Sequence, residues 1–98
     1  MTYWVHPDAE AELGDAAVYY ATHASILVAE AFLAEYERVR DLIVENQQRC
    51  PRTDGDLRAY HFDRFPYTLV YEENQDRGPQ IYAVAHQSRE PRYWGGRI

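Results

Sequence analysis

The 98-residue chain has no lysine, a single cysteine (Cys50), and only five glycines and five prolines. One thiol cannot close a disulfide within the chain, so nothing requires an oxidising compartment and a cytoplasmic location is expected. No apolar run approaches the roughly 18 residues that span a bilayer. Met1 to Pro7 also lacks the basic segment and apolar stretch of a signal peptide. These absences predict a soluble protein with no membrane partner. The histidines, His6, His23, His61 and His86, are scattered and form no close helical pair, so no metal site is expected. Without a glycine-rich phosphate loop or a G-x-S-x-G turn, no cofactor is expected either.

What is present suits one globular domain covering residues 1–98, with 46% hydrophobic and 27% charged residues. A chain this short buries only about 60 to 65% of the surface its unfolded form exposes, so its core is small. Charge is unevenly placed. Residues 1–57 carry four arginines against eleven acids, a net of −7, and residues 58–98 carry six arginines against five acids, a net of +1, giving −6 for the chain. Every permanent cation is therefore an arginine, a planar fork able to grip phosphate or carboxylate through two bonds.

The pattern along the chain predicts β-α-α-β-β-β. Thr2 to His6 is rich in β-formers and reads as an opening strand. Pro7 suits a first helical position, and Asp8, Glu10 and Glu12 put negative charge where the helix dipole favours it. Ala9, Leu13, Ala16 and Tyr20 then make an apolar stripe for a helix to about Thr22. Ser25 is the predicted N-cap of a second helix. Its stripe is Ala29, Phe32, Tyr36, Val39 and Ile43, widened by Leu33 and Leu42.

Asn46 to Asp56, with Pro51 and Gly55, reads as a loop. Strands are predicted over Leu57 to Phe62, Tyr67 to Glu72 and Gln80 to His86. In the middle one Tyr67, Leu69 and Tyr71 alternate with Thr68 and Val70; in the last, Ile81, Ala83 and Ala85 alternate with Tyr82, Val84 and His86. The expected fold class is α+β, a helix hairpin packed on one side of a small antiparallel sheet.

The last strand leads into His86, Arg89, Arg92, Tyr93, Trp94 and Arg97, residue types that hold phosphate and stack on bases. Three further features stand in order before them: a P-x-A-x-x-E-L-like start (Pro7, Ala9, Glu12, Leu13), then Arg58, then the run R-F-P-Y-T-L-V-Y from Arg64 to Tyr71. The ending itself is H-x-x-R-x-P-x-Y-W from His86 to Trp94. Together they resemble the RelE/ParE superfamily of bacterial toxins, over nearly the whole chain.

The resemblance implies the toxin of a type II toxin–antitoxin pair, bound by a cognate antitoxin in a hetero-oligomer, with growth inhibition and plasmid stabilisation as its roles. RelE-like members cleave mRNA at the ribosome without a metal, and ParE-like members inhibit DNA gyrase without cleaving RNA. As a ribonuclease, the chain would use Arg64 and Arg89 on the phosphate and His86 or Tyr93 for proton transfer. As a binding module it would present Arg58, Arg89, Arg92, Trp94 and Arg97 to its target. The acidity and missing lysines favour the ParE-like side, since an RNA target would repel the first half of the chain. A degenerate member that only binds its antitoxin is the remaining reading.

Simpler roles stand beside these. His86 closes a strand and suits a structural hydrogen bond, and Arg58 suits an ion pair with Asp56, Asp63 or a helix acid. Tyr67 and Tyr71 suit core packing, Tyr93 and Trp94 suit a sheet cap, and Gly95 to Arg97 suit a flexible tail.

Overall fold

The structure, a computed structural model, describes residues 2–97. Its elements are β1 (Trp4–Val5), α1 (Pro7–His23), α2 (Ile26–Glu45), β2 (Arg52–Asp54), β3 (Leu57–His61), β4 (Tyr67–Glu72), β5 (Gln80–His86) and a 3-10 helix (Tyr93–Arg97). No helix among the described residues is long and apolar enough to cross a membrane.

Helix α1 starts at Pro7, as its fixed φ favours. Its N-cap is His6, whose Nδ1 accepts the Asp8 N–H at 3.0 Å. Ser25 caps α2 through its hydroxyl, which accepts the Val28 N–H at 3.2 Å. Both apolar stripes face the sheet. Ala9 and Ala16 of α1, and Ala29, Phe32, Tyr36, Val39 and Ile43 of α2, are all buried. Leu33, expected to widen the second stripe, is exposed, and so are Val18, Ile26 and Leu27 at the turn end of the hairpin. The core meets the hairpin around Phe32, whose ring lies 5.0 to 5.8 Å from those of Tyr20, Phe62, Phe65 and Tyr67. Aromatic pairs at such separations, edge-on or tilted, add about 0.5–1.5 kcal/mol each beyond the area they bury.

The strand order is β1-β5-β4-β3-β2. Strands β2 to β5 are antiparallel, as expected, whereas β1 joins β5 in parallel and makes the sheet mixed. β1 enters from the opposite edge because a helix hairpin separates it from the rest of the sheet, and such a long connection permits a parallel pairing. Strand β2 lies within the stretch read as a loop. Arg52 pairs with Arg58 across a tight turn at Gly55, whose φ is 58°. A strand of three polar residues carries no alternation signal, so only its neighbour specifies it.

A second correction concerns β5. Tyr71 opposes Ile81 while Val70 opposes Ala83, so Tyr82 is an extra residue in the ladder. The bulge changes which side chains share a face. Ile81 and Val84 join the helix-side core, whereas Tyr82, Ala83 and Ala85 pack together on the outer face with Leu57 and Val70. Strict alternation would have put Ile81 with Ala83 and Ala85.

Gly78, at φ 79°, sets the approach of β1 to β5. A Cβ at this position would lie 1.9 Å from the Thr2 carbonyl oxygen. Gly78→Ala should therefore cost about 3 kcal/mol through strain and the forced shift of β1. Urea unfolding at neutral pH measures this, with a lower midpoint and unchanged slope expected.

Candidate target-binding surface at the C-terminal end

Beyond Ile81, no strand among the described residues lies beside the outer edge of β5, because β1 ends at Val5. Side chains satisfy that edge instead. The Glu12 carboxylate, reaching over from α1, accepts the Val84 N–H at 3.1 Å, and Arg97 Nη1 donates to the Tyr82 carbonyl at 2.9 Å. Arg97 also grips Glu12 with both terminal nitrogens, at 2.9 and 3.1 Å, and the Tyr93 hydroxyl donates to Glu12 Oε2 at 2.5 Å. Asp8 adds a longer contact, 3.7 Å from Arg97 Nε. Four hydrogen bonds thus converge on one carboxylate. They hold Gly95 to Arg97 in a helical turn, where the composition had suggested a flexible tail.

This clasp sets the C-terminal surface. Burial, followed by the hydrogen bond to Glu12 and its charge, pushes the Tyr93 phenol well above its usual range. The Tyr93 ring lies beneath Arg89, whose guanidinium carbon is 4.0 Å from the ring centroid. His86, paired with Tyr67 across β4 and β5, meets that ring edge-on at 5.0 Å. Its Nδ1 accepts the Ser88 N–H at 3.0 Å and lies 2.7 Å from the Ser88 hydroxyl. The imidazole nitrogen that accepts this backbone N–H carries no hydrogen itself. His86, Arg89 and Tyr93 line a cavity of about 270 Å³ against α1, with Glu12, Asp15 and Tyr19 on its far wall.

The other sequence-predicted residues are placed differently. Arg58 is 9% exposed. Its Nη2 donates to Glu73 at 3.0 Å and its Nη1 to the Cys50 carbonyl, so it pairs with none of the acids the sequence suggested and holds β3 to the preceding loop. Arg97 is part of the clasp just described. Tyr93 and Trp94 cover the apolar outer face of the sheet. Arg92 is exposed at φ 63°. Arg64, at φ 67°, lines a separate cavity formed by α2 and the β3–β4 loop, together with Glu35, Arg38 and Asp63. The two arginines assigned to one phosphate therefore line different cavities.

Glu12 is the residue that the site prediction passed over. Its sequence signal was present, a carboxylate in the P-x-A-x-x-E-L-like helix start, but it read as favourable charge near the helix dipole. Glu12→Ala would leave Arg97 without its carboxylate and Val84 N–H without an acceptor, at a cost of about 2–4 kcal/mol. Faster amide exchange confined to Val84 and residues 93–97 is the expected signature, and uniform exchange across the sheet would contradict it.

At the Arg64 cavity, Glu35 accepts two hydrogen bonds from Arg38 at 2.7 Å and one from the Asp63 N–H at 2.7 Å. The Arg38 bonds lead in holding its carboxyl below the usual glutamate value of 4.5; burial opposes them, and the Asp63 bond assists. A depressed folded-state pKa contributes stability that is complete above the unfolded value and is lost as pH falls through the folded one. The unfolding midpoint should therefore fall as pH drops below 4.5, and Glu35→Gln should flatten that decline in a denaturant series across the acid range.

Comparison with known proteins bears on the family and the fold. No curated protein matches the sequence. The solved structure described as the chromosomal ParDE toxin–antitoxin system from P. aeruginosa superposes with a TM-score of 0.72 at 19% identity, covering 88% of this chain and 95% of that one, a likeness of fold. A family profile described as the ParE toxin of the type II toxin–antitoxin system, parDE, matches residues 3–91. With the match running from β1 through the β5 end and on to Pro91, the chain belongs to the ParE toxin family of type II toxin–antitoxin systems.

Proposed function

We propose that the protein arrests growth by binding an essential target, with DNA gyrase as the target class, through the surface formed by Arg89, Arg92, Tyr93 and Trp94. A cognate antitoxin holds it inactive in a hetero-oligomeric complex. The single observation that carries this reading is the state of the proton-transfer candidates. The basic nitrogen of His86 is engaged by Ser88, and the Tyr93 phenol donates to Glu12 with its acidity suppressed. With its acidity suppressed, the Tyr93 phenol is poorly matched to a proton transfer near neutral pH. The separation of Arg64 from Arg89 into different cavities also favours binding over phosphate chemistry.

The arrangement suits recognition instead. Arg89 stacked on Tyr93 presents a pre-oriented fork, and arginine with aromatic neighbours is the composition of interface hot spots. Arg58 and Arg97 belong to the scaffold in this reading, since both guanidinium groups are bound within the protein.

Induced expression in a bacterial host, with plasmid supercoiling and mRNA cleavage followed together, tests the proposal. Growth arrest with relaxed plasmid or gyrase-linked DNA breaks and intact mRNA is expected. Arg89→Ala should weaken the arrest by about tenfold or more in inducer dose, the effect of losing a hot-spot side chain. Ribosome-dependent mRNA breaks lost on the same substitution would establish the ribonuclease reading, and normal growth would leave a member that only binds its antitoxin.

A further inference from the structure

The cavity of about 270 Å³ between α1 and the end of β5 contains a donor and an acceptor that the fold leaves unused. Asp15 of α1 and Arg89 of the turn after β5 both line it, and both are exposed. Neither side chain makes a hydrogen bond or an ion pair among the described residues, and Arg89 only stacks on Tyr93. Two opposite charges thus share one cavity without meeting. The Glu12 carboxylate, by contrast, is fully engaged by Arg97, Tyr93 and the Val84 N–H. The rings of Tyr19 and Tyr67 supply aromatic walls.

The lining narrows the occupant by chemistry. A phosphate in the cavity would face the Asp15 and Glu12 carboxylates, and an inorganic cation would face Arg89. A purely apolar ligand would take two unpaired charges out of water with nothing in return. What fits is a flat, uncharged aromatic molecule with paired donors on one edge and paired acceptors on another. Among nucleobases guanine has this form most fully. Its N1–H and N2–H groups match the two oxygens of one carboxylate, and its O6 and N7 match the fork of one arginine. Adenine sets an acceptor beside its amino donor, and uracil places its one N–H between two acceptors, so neither satisfies both walls. The cavity, at the small end of ligand pockets of roughly 300–1,000 Å³, suits one base and not a dinucleotide.

We infer that this cavity binds a single guanine base, with Asp15 on its N1/N2 edge, Arg89 on its O6/N7 edge and tyrosine rings against its faces. The shared chemistry is the base, whether it arrives as a free guanine nucleotide or as an unpaired residue of a nucleic acid strand. Its phosphate stays outside, away from the lining carboxylates. A base-paired guanine cannot enter, because pairing occupies the edge that Asp15 reads. The site shares Arg89 with the target-binding surface proposed above, yet it does not depend on what that target is. A bound base and a target that needs the same guanidinium donors exclude each other.

Calorimetry on the intact chain with the monophosphates of guanosine, adenosine, cytidine and uridine tests the site, since the phosphate is common to all four. The guanosine compound is expected to bind about tenfold or more tighter than those of adenosine and uridine, the effect of one well-made pair of base contacts. Asp15→Asn and Arg89→Ala, both at exposed positions and both checked for folding by circular dichroism, should each weaken it about tenfold. Two analogues assign the walls. Inosine monophosphate lacks the N2 donor and should lose less than the guanosine compound in Asp15→Asn; the 7-deazaguanosine compound lacks the N7 acceptor and should lose less in Arg89→Ala. Equal binding of the four nucleotides, no binding of any at millimolar concentration, or guanosine affinity unchanged in both variants would overturn the site. A short thymidine strand with one central deoxyguanosine separates the sources. Tighter binding than the mononucleotide supports a site for unpaired strands, and equal or weaker binding supports one for the free nucleotide. The target reading stands or falls separately, in the growth assay.

Discussion

The edge of β5 is the constraint on which the C-terminal half of the molecule depends. A strand edge left bare presents unpaired backbone groups that invite association with other chains. β1 protects only the first turn of that edge, at Gln80 and Ile81. For the remainder, a carboxylate from α1 and a guanidinium from the C-terminal segment take the place of a neighbouring strand, at Val84 and Tyr82. One pair of side chains therefore joins the helix hairpin, the sheet edge and the last helical turn. The orientation of Tyr93, and through it of Arg89, follows from that junction.

The same junction separates scaffold from contact surface among the arginines. Guanidinium groups that find carboxylates within the fold, at Arg58 and Arg97, are held in place and mostly screened from a partner. Arg89 instead stacks on a ring and remains exposed, so its hydrogen-bond donors stay available. An acidic protein in this way presents an exposed cation at Arg89, with Asp15 of α1 on the far wall of the same cavity. The bulge at Tyr82 supports the arrangement by turning Tyr82 to the outer face with Ala83 and bringing Val84 back to the helix side, next to Glu12.

The ParE family assignment and this geometry bear on each other. Family membership implies an antitoxin partner. Within the C-terminal surface His86 accepts the Ser88 N–H and the Tyr93 hydroxyl donates to Glu12.

Helical periodicity was sufficient to identify both helices and every buried residue of α2, because an amphipathic stripe is a local property that survives any tertiary context. Ser25 and Pro7 were legible as helix starts for the same reason, since caps act within a turn. The chain order β-α-α-β-β-β, apart from the added β2, was likewise written in the sequence. The parallel placement of β1, the short β2, the bulge at Tyr82 and the partners of Arg58 and Arg97 were decided by the tertiary structure. β2 pairs with its chain neighbour β3 through polar residues that carry no alternation signal, and the longest of the other pairings spans the 85 positions between Glu12 and Arg97. No local pattern encodes such a pairing, because its energy exists only once the helix hairpin and the sheet have packed.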